Sequence, residues 1–276
     1  MMPSKQFRRA DAFGLSMAAL LACATWVSQV DHPARARTQA PNPPLKISFQ
    51  QPNTAETSAP RDRPRGGGTR PICSEEESQL GRCNGVSVAA LVPFPEQQQP
   101  GEDEQSVTIY HAWGQTLEPA PTIWFYVPYP PEAIHSADFE LLDEQHQLVA
   151  QGTGLEITAT PGVIRYTPEL DVPLVVGKTY RWNLLLRFDP LEPAADELVS
   201  GRIKRVAPST TLRQQLDGSS SALQQASLLG EAGIWYDMVT MLSTVYAEHS
   251  AAWVDLLRSV GLEAIADEPL VDCCDD

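Results

Sequence analysis

"LVVGKTYRWNLLLRF", residues 174–188, is the stretch from which the chain is best read. From Tyr180 onward the side chains alternate. Tyr180, Trp182, Leu184, Leu186 and Phe188 fall on one face; Arg181, Asn183, Leu185 and Arg187 fall on the other. A period of two sends successive side chains to opposite sides of a strand, so this stretch predicts a β-strand with one buried face. Just ahead of it, Leu174, Gly177 and Tyr180 stand at the spacing of a tyrosine corner. In that motif a Tyr at the start of the second-last strand of a sandwich bonds back to the backbone of the preceding turn.

The neighbouring segments continue the pattern. "VSVAALVPF" (86–94), "SVTIYHAW" (106–113), "TIWFYVPY" (122–129), "PGVIRYTP" (161–168) and "DELVSGRIKRV" (196–206) read as strands. "ADFELLDEQHQLVAQGTGLEITA" (137–159) reads as a hairpin turning near Asp143–His146, and "PEQQQPGEDEQ" (95–105) as a polar loop. Seven or eight short strands with no helical period between them argue for a two-sheet sandwich, immunoglobulin-like or fibronectin-like, with a jelly roll second.

The strand "TIWFYVPYP" (122–130) raises a question, because both of its faces are apolar. Trp124, Tyr126 and Pro128 point one way; Ile123, Phe125, Val127 and Tyr129 point the other. One set fills the sandwich and the other needs a cover.

After Pro208 the period becomes helical. "SSALQQASLLGEAG" and "IWYDMVTMLSTVYAEH" predict two helices, with Ser219–Ser221 as an N-cap and Gly230 and Gly233 as the break. "SAAWVDLLRSVG" predicts a third, capped by Ser250 and stopped by Gly261. Ala226, Leu229, Gly233, Trp235, Asp237, Val239 and Leu242 resemble the spacing of a tetratricopeptide hairpin, with Met238 in place of its Ala. One such unit cannot bury its own apolar face. We therefore expect Trp235, Met238 and Leu242 to dock on the outer face of strand 122–129.

The chain's 276 residues divide, on this reading, into a signal peptide (1–36), a disordered linker (37–71), a β-sandwich (72–208) and a helical segment packed on it (209–276). Lys5, Arg8 and Arg9 precede an apolar run from Ala12 to Val27, and Ala34-Arg35-Ala36 offers a small-x-small cleavage site. The run is short and followed by polar residues, which predicts a cleaved signal and no transmembrane span in the mature chain. The alternative is a lipid anchor at Cys23, because Leu20-Leu21-Ala22-Cys23 loosely resembles a lipoprotein box. Residues 37–71 are rich in Pro, Gly and Gln and poor in apolar residues. "RGGGTR" (65–70) lacks the Gly-Lys-Ser/Thr ending of a phosphate loop.

Cleavage after Ala36 would move the net charge from -15 to -17. Such an acidic protein is a poor partner for nucleic acid or anionic lipid. After cleavage four cysteines remain: Cys73, Cys83, Cys273 and Cys274. Outside the cytoplasm an even count suggests disulfides, with three possible connectivities. Joining adjacent Cys273 and Cys274 closes a strained ring, so bridges from Cys73 and Cys83 to the C-terminal pair are the preferred expectation. A thiol metal site is less favoured, since four-ligand zinc sites use spaced cysteines.

"RGGGTR", "ALVPF", "PTIWFYVPY", "FELLDE", "PLVVGKTYRW", "ADELVSGRIKRV", "AGIWYD", "SVGLE" and "PLVDCC" occur in the order seen in the domain of unknown function 928 family. The chain resembles that family from about residue 64 to its C-terminus. The resemblance implies an exported protein of mostly cyanobacterial kin. It brings no activity, ligand or catalytic residue.

Function must then come from sites. His135 and His146 bracket Asp138 and Asp143 without any common metal spacing, and read as polar hairpin residues. There is no Gly-x-Ser-x-Gly elbow. No catalytic, cofactor or metal residue is assigned, and no cofactor is expected. Asp237 reads as a solvent-facing acid at a helix start. Trp124 and Tyr126, placed near Arg181 and Arg187 by an immunoglobulin-like order, form the candidate binding surface. The reading that results is a non-enzymatic exported module contacting another envelope or exported protein. The alternative is an envelope hydrolase acting on glycan or peptide, for which a deep cleft with two facing carboxylates or a Ser–His pair would speak.

Overall fold

The computed structural model describes residues 47–52, 87–93, 96–100, 106–110 and 112–274. The signal segment, Cys23, Cys73, Cys83 and most of the linker lie outside these described residues. Ten strands are described: β1 (Ala89–Ala90), β2 (Glu96–Pro100), β3 (Ser106–Tyr110), β4 (Trp113–Thr116), β5 (Ile123–Val127), β6 (Ser136–Leu142), β7 (Leu148–Leu155), β8 (Gly162–Tyr166), β9 (Thr179–Arg187) and β10 (Glu197–Arg205). Four helices follow: α1 (Thr210–Asp217), α2 (Ala222–Glu231), α3 (Trp235–Ser243) and α4 (Tyr246–Ser259).

The alternating stretch becomes β9, with Tyr180, Trp182, Leu184 and Leu186 buried and the residues between them partly exposed. It is the middle strand of a five-stranded sheet, ordered β4-β10-β9-β6-β7, in which only the β4–β10 pair is parallel. A three-stranded sheet, β1-β5-β8, is antiparallel throughout. The sheets pack face to face. Phe125 of β5 meets Trp182 of β9 edge-on, with ring centroids 5.5 Å apart. Phe139 of β6 meets Tyr166 of β8 at 4.8 Å. The Trp182 ring fits because its cross-strand partner is Gly201, where an added Cβ would lie 2.2 Å from the indole.

The protein is thus mainly β with C-terminal helices, as the sequence implies. The N-terminal part of the sheet region differs. "VSVAALVPF" contributes only the two residues of β1. "SVTIYHAW" divides between β3, which pairs with β2, and β4, which joins the five-stranded sheet. Five residues of the expected polar loop form β2, because Glu96–Pro100 find backbone partners in Ser106–Tyr110. Polar alternation alone gave no sign of that pairing.

The helices bury their apolar faces on the sandwich, and one hydrophobic cluster runs through both. Every residue of β5 is buried. On its outer face Trp124 meets Trp253 of α4 edge-on at 5.9 Å and donates its indole N–H to Thr240 Oγ1 of α3 at 3.0 Å. Trp235, fully buried, donates to Leu91 O at 2.7 Å. The cover expected over this strand is therefore present, and it includes α4 as well as α3.

Ser221 caps α2 by accepting from Gln224 N, and Gly233, at φ +75°, turns the chain into α3. α1 was not foreseen; Ser209 caps it by accepting from Leu212 N. Ser250 is not a cap. α4 begins at Tyr246 and kinks at His249. Residues 269–271 run along β8, with Val163 N donating to Pro269 O and Val271 N to Val163 O, which closes that sheet edge.

One further expectation meets a different outcome. Ile47–Pro52, assigned to the disordered linker, lies against α2 and α3, and Ile47 is buried. Cys273 and Cys274 lie side by side near the end of the described chain, with their sulfurs in contact. Their expected partners, Cys73 and Cys83, lie outside the described residues.

Candidate functional site

The expected surface of Trp124, Tyr126, Arg181 and Arg187 is not assembled. Trp124 and Tyr126 belong to the three-stranded sheet and are buried, Trp124 beneath α3 and α4. Arg181 and Arg187 sit on β9 in the other sheet, facing away from the core. The strand order places β5 beside β1 and β8, so no aromatic of β5 borders the arginines.

His135 and His146 are likewise apart, at opposite ends of β6. His146 lies in the β6–β7 turn, at φ 60°. Asp143 shapes that turn by accepting from Gln145 N and Gln147 N, each at 2.8 Å. Among the described residues no group of three or more His, Cys, Asp or Glu side chains gathers as a metal site.

At the other end, an open cleft of about 470 Å³ is lined by His135, Ser136, Leu185, Arg187, Asp189 and Asp196, with two prolines. Asp138, beside the cleft, and Asp196 both converge on Arg187, Asp138 in a close ion pair and Asp196 at 3.9 Å. Asp138 also accepts from Gly154 N at 2.9 Å. Arg187 thus satisfies Asp138, whereas the buried Oδ1 of Asp196 has no hydrogen-bond partner among the described residues.

Asp237 is not solvent-facing. Its carboxylate accepts from Leu117 N at 2.9 Å and Thr116 Oγ1 at 3.1 Å, latching α3 to the end of β4. Burial pushes its pKa up to about 6, and those two hydrogen bonds offset part of the rise. Beside it, Tyr236 enters between the sheets. Its hydroxyl accepts from Trp182 Nε1 at 2.8 Å and donates to Arg202 O at 3.1 Å. Burial raises its pKa above the ordinary phenol value. Both groups are spent on holding helix to sheet.

The surface feature that the sequence reading missed is the β8–β9 loop. Val172, Val175 and Val176 are 67%, 55% and 49% exposed, although each is a branched aliphatic. The loop is built, not slack. Leu174 is buried as its anchor, its N–H donates to Pro119 O at 2.9 Å, and Val175 N donates to Tyr180 Oη at 2.9 Å. This last bond is the tyrosine corner that the spacing predicts. Arg205 braces the loop by donating to Leu174 O and, at 3.2 Å, to Leu117 O. The adjoining β6–β7 turn is tied in through Glu144, which accepts from Thr179 N at 3.1 Å and pairs with Lys178 at 3.3 Å. The Thr179 bond and the lysine hold the Glu144 carboxyl below the usual range. Leu148, 54% exposed, starts β7 just after that turn. The available signal was "DVPLVVGK" itself, where apolar residues outnumber polar ones in a segment that must be a loop.

A family model described as Domain of Unknown Function (DUF928) matches residues 65–270. The chain belongs to this family. No match to a curated protein was found. Within the family's span lie both sheets, all four helices and the valine loop, whereas Ile47–Pro52 lies ahead of it.

Proposed function

We propose that this DUF928 protein is an exported, non-enzymatic interaction module that engages another envelope or exported protein through its β8–β9 loop. The observation that carries the reading is the exposure of Val172, Val175 and Val176 on a loop pinned at Tyr180 and Arg205. An apolar group held in water at a fixed position contributes nothing to folding. It contributes binding free energy when a partner covers it, at about 25 cal/mol per Å². Preorganisation by the corner removes part of the ordering cost of association.

The strand order supports an immunoglobulin-like interpretation. Sheets ordered β1-β5-β8 and β4-β10-β9-β6-β7, with the tyrosine corner leading into the second-last strand, favour it. Export remains the reading of the N-terminal residues, with cleavage after Ala36 or a lipid anchor at Cys23. The hydrolase reading has less support, because the Asp138 and Asp196 carboxylates both lie against Arg187.

The test is affinity capture from the native envelope with the wild-type chain and with Val172→Ser/Val175→Ser/Val176→Ser. A protein captured by the first and lost by the second, at equal melting temperature, supports the reading. Identical capture by both, or release of product from envelope glycan or peptide by the purified chain, contradicts it.

A further inference from the structure

The segment Ile47–Pro52 occupies the corner between α2 and α3 in the manner of a bound peptide. Its side chains alternate. Ile47 is buried, Ser48 exposed, Phe49 half-buried and Gln50 exposed, the pattern of an extended segment lying on a surface. Phe49 meets the Trp235 ring edge-on at 4.8 Å. Gln50 N donates to Gly230 O at 3.0 Å. Gly230 lies in the last turn of α2, where its carbonyl accepts from Gly233 N at 3.1 Å and takes Gln50 N as a second donor.

The corner is shaped for this backbone. A Cβ at Gly230 would stand 2.4 Å from Ser48 O, and one at Gly233 would stand 2.6 Å from Pro52 and 2.9 Å from Gln50 O. Two glycines, the Gly230 carbonyl and an aromatic wall admit an extended main chain and select an aliphatic residue followed, two positions on, by an aromatic one. We propose that the α2–α3 corner is a recognition site for such aliphatic-x-aromatic segments, filled here by the chain's own Ile47–Pro52 and open to the same segment of a second copy.

The contacts described for Ser48–Pro52 are made to α2, α3 and the Gly233 turn between them, none of which distinguishes the chain's own segment from an identical one in trans. What favours the resident segment is its tether. Covalent connection to the rest of the chain makes docking of the resident segment intramolecular, an advantage a free peptide must overcome. This site is separate from the valine loop, and each can fail without the other.

The probe is a fluorescently labelled peptide of residues 44–53, titrated by anisotropy into the full chain. Ile47→Ser/Phe49→Ser in the chain removes the resident side chains and leaves the corner intact. The account expects this variant to bind the peptide saturably, at least tenfold more tightly than the wild-type chain. A peptide carrying Phe49→Ser should not bind. No saturable binding to a variant that melts as a folded protein overturns the proposal, as does equal affinity for variant and wild type. Should the variant fail to fold, hydrogen exchange of the wild type decides. The Gln50 amide should exchange at least tenfold faster than the Val163 amide of the sheet. Equal protection would make the segment an inseparable part of the core and overturn the exchange.

Discussion

Trp124 and Thr240 are joined by a 3.0 Å hydrogen bond from the outer face of β5 to α3. A strand with two apolar faces is stable only when both are covered. Here the inner face closes on Trp182 and the outer face on α3 and α4. The indole N–H that such burial would orphan is given a hydroxyl acceptor. The helices are therefore the second wall of a three-layered core.

Trp235 carries much of that wall. It is fully buried at the start of α3, and its indole donates to Leu91 O, just after β1. Trp235→Ala should lower stability by about 3–5 kcal/mol. Urea unfolding measures this, and a loss below about 1 kcal/mol would contradict the packing described.

The corner at Tyr180 makes a narrower prediction. Tyr180→Phe leaves Val175 N–H without its acceptor and should cost about 1 kcal/mol. The same variant should speed hydrogen exchange at Val175 while leaving the β9 amides protected. An unchanged midpoint with unchanged exchange would show that the bond does not hold the loop.

Asp237 predicts a pH dependence. Its folded pKa, about 6, lies above the ordinary carboxyl value of 3.8. The folded state therefore binds this proton more tightly than the unfolded state. The stabilisation is complete below about pH 4 and is lost as pH rises through about 6. Asp237→Asn cannot ionise, so its stability relative to the wild type should improve between pH 4 and pH 7, on the order of 2 kcal/mol. Melting curves of both proteins at the two pH values test this; a constant difference would contradict it.

Gly201 offers a steric test. An added Cβ would strike the Trp182 indole at 2.2 Å, and that ring is fixed by its bond to Tyr236 Oη. Gly201→Ala should therefore cost about 1–3 kcal/mol, the range for overpacking. A variant as stable as the wild type would mean that the indole has room to move.

Much of this arrangement was legible from local pattern. Period-two alternation marked β9, three-residue spacing marked the tyrosine corner, and an overly apolar strand marked β5 as needing a cover. What local pattern could not convey was pairing at a distance. Nothing in "EQQQP" signals its partner in "SVTIY", and nothing in Ile47 or Phe49 signals Trp235. The candidate surface failed for the same reason. Trp124 and Arg181 were placed together by an assumed strand neighbourhood, and the strand order separates them. Asp237 was misread because helix-start acids usually face water, whereas this one meets the backbone N–H of Leu117.

The most direct test of the central claim, that helices and sheets share one core, is thermal unfolding of the intact chain followed by two probes at once. Far-UV circular dichroism reports the helices, and hydrogen exchange at Val163, Leu184 and Ile203 reports the sheets. The account predicts coincident transitions with a single midpoint, because Trp124, Trp235 and Tyr236 bind the layers together. Loss of helical signal well below the temperature at which the sheet amides open would contradict it.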